Sequence, residues 1–136
     1  MHTSFFTRLA ALAALASVVV ALPSDCTRKI TIKAGETCAT ISATHEVSTY
    51  QLMKVNTGII NTACDLHVGE ELCLGIKDKD CVDIHVVKTH EDCTEIAKEA
   101  GIPLSTLYAN NPNVKKGCSN LYANEVLCTS KQIYSY

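Results

Sequence analysis

Hydrophobic positions change rhythm several times along this chain. From Leu9 to Leu22, Ala, Leu and Val follow one another almost without interruption behind a single cation, Arg8. At about fourteen residues this run is short for a bilayer span, and it meets Ala21, Leu22, Pro23 and Ser24 instead of a cationic stop, the form of a secretory signal peptide. The expected leader is residues 1–21, cleaved after Ala21, and no membrane contact is expected of the mature chain. Past it the rhythm shortens. Lys29, Ile30, Thr31, Ile32 and Lys33 alternate with β-branched residues, and Ile84 to Lys88 does the same, so each predicts a short strand. A helix start follows both: Thr37 stands in the capping place before Cys38 to Ile41, and Asp92 caps with Glu95 reaching back from three residues later. Ser48 and Gln51 form a capping-box pattern for a further helix with Leu52 and Val55 on one side, and Pro103 occupies the matching start downstream. Asn56 and Asn111 then end these helices, Asn being tolerant of the left-handed conformation. Glu70 to Leu74 and Glu125 to Thr129 read as return strands. The predicted order is strand, helix, helix, strand, twice over, an α+β chain of two tandem βααβ units.

The cysteines repeat the same message. They stand at Cys26, Cys38, Cys64 and Cys73 and again at Cys81, Cys93, Cys118 and Cys128, in steps of 12, 26 and 9 and then 12, 25 and 10. An offset of 55 lays Cys26 on Cys81, Ile41 on Ile96, Leu52 on Leu107, Asn56 on Asn111 and Cys73 on Cys128. The domains are therefore residues 26–74 and 81–129, with a polar linker at 75–80 and a tail at 130–136 that is expected to fray. Units of about 50 residues bury too little for a self-sufficient core, and two disulfides each meet that need. An even cysteine number on an oxidising route reads as four disulfides. Their pairing stays open, because four cysteines allow three connectivities.

Charge and aromatic content narrow the partners. The leader carries one of the 12 cations and none of the 14 acids, leaving a formal charge of −3, so a nucleic-acid partner is not expected. There is no Trp, and Phe5 and Phe6 leave with the leader. Neither Cys-x-x-Cys nor a His-rich ligand pattern occurs, so no metal and no cofactor are expected. His45, His67, His85 and His90 receive no chemistry. The acids lack the paired arrangement that glycoside hydrolysis needs, which points away from an enzyme.

Three local signatures give the repeats a resemblance. Ala34, Gly35, Glu36, Thr37 and Cys38 resemble the Gly-Asp-Thr-Cys turn of LysM domains of the cysteine-containing fungal type. Asn111, Pro112, Asn113 and Val114 resemble that family's Asn-Pro-x-Ile loop, and the endings Leu66 to Cys73 and Leu121 to Cys128 resemble its closing pattern. Thr57 and Gly58 depart from the loop pattern in copy one, and His90, Glu91 and Asp92 from the turn pattern in copy two. With a leader and no further domain, the chain resembles a secreted fungal LysM effector. The resemblance implies a shallow groove in each copy between a first loop, Gly35, Glu36 and Thr37 or His90, Glu91 and Asp92, and a second. That second loop is Asn56, Thr57, Gly58, Ile59 and Ile60 in copy one and Asn111, Pro112, Asn113 and Val114 in copy two.

The implied partner is chitin or its oligosaccharides, with acetamides bonded to loop backbone and acetyl methyls against Ile59 or Val114. The implied role is to sequester chitin fragments from host receptors or to shield wall chitin from host chitinases, and two sites per chain imply a ligand-bridged homodimer. Acids beside the groove favour neutral chitin over peptidoglycan. Each site residue has a second reading: Ile59 and Val114 as core, Asn56 and Asn111 as loop organisers, and Glu36, Glu91 and Asp92 as helix-start anions. A disulfide-rich inhibitor or toxin aimed at a host protein is the alternative function.

Overall fold

The computed structural model describes residues 20–136, so nearly all of the expected leader lies outside the described residues. Eight elements follow in order: β1 (Cys26–Thr31), α1 (Cys38–Thr44), α2 (Thr49–Val55), β2 (Glu71–Ile76), β3 (Ile84–Val86), α3 (Cys93–Ala100), α4 (Leu104–Asn110) and β4 (Val126–Cys128). The strands pair antiparallel as β1 with β2 and β3 with β4, giving two two-stranded sheets, each with its own pair of helices. This is the α+β, βααβ-twice architecture that the alternation predicts. Ile30 sits opposite Leu72, and Val86 opposite Val126. β1 begins at Cys26, earlier than the alternation suggests, because irregular pairing around Arg28 lets the first cysteine join the ladder.

The helix starts show which local signals suffice. Thr37 and Thr40 exchange side chain for backbone in a capping box, Thr40 N to Thr37 Oγ1 at 3.1 Å and Thr37 N to Thr40 Oγ1 at 2.8 Å. Asp92 and Glu95 do the same at α3. Ser48 accepts from Gln51 N at 3.1 Å, but Gln51 does not reach back. Its buried amide instead donates to Leu74 O and Asp80 Oδ1, each at 2.8 Å, and accepts from Cys81 N at 3.0 Å. A buried amide must satisfy both ends, and here tertiary partners win over the local cap. Pro103 is the cap residue itself, extended at φ −61°, and brings no side-chain bond.

Asn56 and Asn111 end α2 and α4 by a means other than left-handed backbone: their φ values are −113° and −131°. Each is fully buried. Asn56 Nδ2 donates to Leu52 O at 2.7 Å and to Cys73 O at 2.6 Å, while its Oδ1 accepts from Cys73 N at 2.7 Å. Asn111 repeats all three bonds with Leu107 and Cys128 at 2.8 Å each. One amide thus closes a helix and pairs with a strand.

Disulfides join first to fourth and second to third cysteine in both copies: Cys26–Cys73, Cys38–Cys64, Cys81–Cys128 and Cys93–Cys118. Around them sit two small cores, Ile32, Ile41, Val47, Leu52, Ile60, Leu72 and Leu74 in copy one and Val87, Ile96, Ile102, Leu107, Val114 and Leu127 in copy two. With loops of this size each bond contributes about 3–4 kcal/mol through the unfolded chain.

The copies are bolted together. In the linker, Asp80 takes a bidentate ion pair from Arg28, Nε and Nη2 each at 2.7 Å, as well as the Gln51 bond. Gly75 makes room, since a Cβ there would collide with the Asp80 carboxylate. Val126 N donates to Thr49 Oγ1 of the other copy at 3.1 Å. The tail does not fray: Asn110 Nδ2 donates to Ser130 O and Gln132 O, its Oδ1 accepts from Tyr134 N, and the Tyr136 hydroxyl donates to Gln51 Oε1 and, at 3.2 Å, to Lys79 O. The Tyr136 ring meets Tyr50 edge-on at 6.1 Å. Buried side-chain partners, invisible in the tail's own composition, hold it.

Candidate functional site

In copy one the two loops face one groove. The first is turned by Gly35 at φ +83° and closed by Glu36, whose Oε2 accepts from Lys33 N at 2.8 Å, before Thr37 caps α1. The second hangs from Asn56, whose carbonyl accepts from Ile59 N at 2.9 Å and Ile60 N at 3.1 Å, with Gly58 at φ +88° between them. The groove between them has a volume of about 970 Å³ and is bordered by Glu36, Thr37, Gly58, Ile59 and Ile60. Asn61, Asp65, Leu66 and His67 complete it on the far side, with Tyr122 from copy two. The Cys38–Cys64 bond crosses its floor and ties α1 to the second loop. Ile59 is half-buried at the surface and Ile60 is buried in the core beneath. Asn56 points away from the groove into its three backbone bonds, and neither Gly35 nor Thr57 borders the groove; Thr57 Oγ1 donates to Lys54 O at 2.8 Å.

Copy two arranges the same loops differently. Glu91 accepts from Lys88 N at 2.8 Å, as Glu36 does from Lys33, and also meets His85 Nε2 at 2.7 Å. The His85 contact first, then the Lys88 amide, holds the Glu91 carboxyl below the usual range. His90 lies at φ +67°, and Asp92 is committed to its cap. Val114 is buried in the core, Asn111 repeats the role of Asn56, and Asn113 Nδ2 donates to Glu125 Oε1 at 2.7 Å. Pro112 is exposed at the loop's outer edge. A cavity of about 530 Å³ beside α3 is bordered by Asp92, Leu104, Tyr108 and Lys116, and takes in Asp92 alone of the second copy's expected residues. Asn113 instead borders a seam between the copies.

Sequence reasoning missed Ala39, Asn61, Ala63, Asp65, Leu66, His67 and Tyr122 as groove-lining residues, and of these His67 and Tyr122 occupy the same place in the two copies at the offset of 55. A position just before each return strand, carrying a large ring in both copies, was the available signal. Among the described residues no helix is long and apolar enough to cross a membrane.

Comparison with known proteins places this geometry. The LysM domain model matches residues 30–75 and 85–130, one stretch per copy. The chain is 31% identical over 124 residues to the non-secreted LysM effector LCP1 of Gibberella moniliformis, covering 90% of this chain and 16% of that one. It is 29% identical to the secreted LysM effector LysM2 of Penicillium expansum, over 76% of this chain and 33% of that one. With a secreted LysM effector of Pochonia chlamydosporia it shares 30% identity over 77% of its length and 15% of the relative's. The chain thus spans a third or less of the length of these relatives. Two family matches, each laid over one strand, helix, helix, strand unit with its own disulfide pair, make this chain a member of the LysM domain family.

Proposed function

We propose that the chain is a secreted, non-catalytic effector that binds chitin or its N-acetylglucosamine oligomers through the copy-one groove. The observation that carries this reading is the pair of loops Glu36–Thr37 and Gly58–Ile60 facing one another across an open groove with small and apolar side chains along it. Gly58 leaves its backbone uncovered, and Ile59 gives an apolar surface for an acetyl methyl. An acetamide presents one donor and one acceptor, which fixed backbone groups match without large side chains. Both carboxylates at the groove are engaged in their own loops, Glu36 by Lys33 N and Asp65 by Asn61 Nδ2 at 2.5 Å, an arrangement suited to binding. The names of two of the relatives, secreted LysM effectors, support an extracellular role.

Binding leads either to sequestration of free oligomers or to shielding of wall chitin. In both, one chain grips few sugars and a long polymer recruits several chains, so ligand-bridged dimers form on long oligomers. Calorimetric titration of N-acetylglucosamine oligomers tests the reading, with Ile59→Asp as the control. Micromolar binding that the substitution weakens by about tenfold or more is expected, from a lost apolar contact and a charge set in the groove. Passage of oxidised protein through a chitin column without retention contradicts it.

A further inference from the structure

Tyr122 belongs to copy two in sequence, yet it borders the groove of copy one and a second cavity beside it. The first is the groove already described. The second, of about 830 Å³, follows the seam between the copies, with Tyr50, Met53 and Lys54 of α2 on one side and Asn113 of copy two on the other. Ile60, Asn61, Ala63 and the Cys38–Cys64 bond border both cavities, as Tyr122 does. Groove and seam are therefore neighbours that share a disulfide-closed wall and one aromatic ring.

Tyr122 is 52% exposed, and its backbone is held by hydrogen bonds. Glu125 N donates to Tyr122 O at 3.2 Å, and Tyr122 N donates to Glu125 Oε2 at 3.4 Å. Copy two is itself held on copy one by the Val126–Thr49 bond and by Tyr136. A ring rooted on a backbone held in this way needs no chain ordering to meet a ligand. Its chemistry suits a sugar: a pyranose has an apolar C–H face and a polar rim, and a phenol has an apolar face and a polar tip. Among the described residues the seam carries one charged side chain, Lys54, already placed over the Tyr50 ring, and no acid, so its surface fits a neutral chain.

We infer that Tyr122 is a ligand-contacting residue of the copy-one groove supplied by the other repeat. A neutral N-acetylated glycan lays one pyranose face on its ring as it passes from groove to seam. This rests on the carbohydrate reading above. The copy-one site is then incomplete without copy two, and oligomers long enough to enter the seam gain a contact that short ones lack.

Titration of the N-acetylglucosamine trimer and octamer into the whole chain tests this. Tyr122→Ala weakens octamer binding by about two- to tenfold, the range expected for one aromatic contact, and affects the trimer less. Tyr122→Phe, which keeps the ring, stays close to the unsubstituted protein. The chain contains no Trp, so Tyr122→Trp supplies a single indole whose emission shifts to the blue when octamer covers it. Equal octamer affinity with and without the Tyr122 ring, or unshifted emission from a Tyr122→Trp protein that binds, overturns the assignment and leaves the carbohydrate reading standing. Loss of affinity in Tyr122→Phe equal to that in Tyr122→Ala also overturns it, since the hydroxyl and not the ring would then be responsible. If the unsubstituted protein fails to bind the octamer, the carbohydrate reading falls, and this inference with it.

Discussion

At position 125 the chain buries a carboxylate, 2% exposed, whose oxygens meet Asn113 Nδ2 and Tyr122 N. Burial pushes the Glu125 carboxyl above its usual range, against the opposing pull of those two donors. A folded-state value above the unfolded one means that the group favours folding below the unfolded pKa, and that this support is lost as pH rises through the folded value. At neutral pH the ionised form therefore opposes folding. Glu125→Gln keeps an acceptor for Asn113 and removes the charge, so its melting temperature should exceed that of the unsubstituted protein near pH 7. The gain should shrink toward pH 4. Thermal melts across that interval check it, and a gain independent of pH would contradict the burial argument. Copy one has Glu70 at the matching position, with Oε2 buried and without a hydrogen-bond partner among the described residues, and Gly58 where copy two has Asn113. The two copies have thus settled the same buried acid differently, and only in copy two does it hold the second loop.

Among the elements, the joints matter more than the lengths. None of the described helices exceeds eight residues, too short to persist unless packed, so α2 and α4 depend on what fastens their ends. Asn56 fastens α2 to β2 by three bonds. Asn56→Ala leaves the amide and carbonyl of Cys73 and the carbonyl of Leu52 buried without that partner, and should cost about 2–4 kcal/mol in denaturant unfolding of the oxidised protein. A cost near that of a surface substitution would mean that water replaces the amide. The helix starts at Thr37 and Asp92 and the four strands were legible in the sequence, because capping boxes and alternation act over three or four residues. Ser48 with Gln51 carried the same signature, but only its serine half formed, since the glutamine's partners Leu74, Asp80 and Cys81 lie far along the chain. Asn at a helix exit was legible as an organiser, while its mechanism was not: the strand partner at Cys73 stands 17 residues away.

On the scale of the whole molecule, the spacing of cysteines announced two units but could not say how they meet. The cysteine pairing needed coordinates, because each spacing admits three pairings. Of the copy-one loops that the resemblance singled out, Glu36, Thr37 and Gly58 to Ile60 border the groove, while Gly35, Asn56 and Thr57 do not. Tyr122 was not readable from the sequence, since its arrival there depends on how copy two docks. That docking runs through the tail, where Tyr136, its phenol pushed well up by burial and so firmly protonated, donates to Gln51. Tyr136→Ala should lower stability by about 1–2 kcal/mol through one lost hydrogen bond and one lost ring contact. Hydrogen exchange at the Cys81 and Val126 amides, both of which bond across the joint, should quicken. Unchanged exchange would mean that the Gln51–Cys81 and Thr49–Val126 bonds keep the copies docked without Tyr136.

Cys26 bonded to Cys73, and Cys81 to Cys128, have a mechanical meaning. A pull applied outside the repeats travels from sulfur to sulfur across each one, bypassing the helices and loops enclosed between the bonded residues. The seven residues 74–80 carry the load in the open, together with whatever lies beyond the outer cysteines. A chain pulled from its two ends would give way first between the repeats, while the helices and loops of each, closed into their own ring, kept their arrangement.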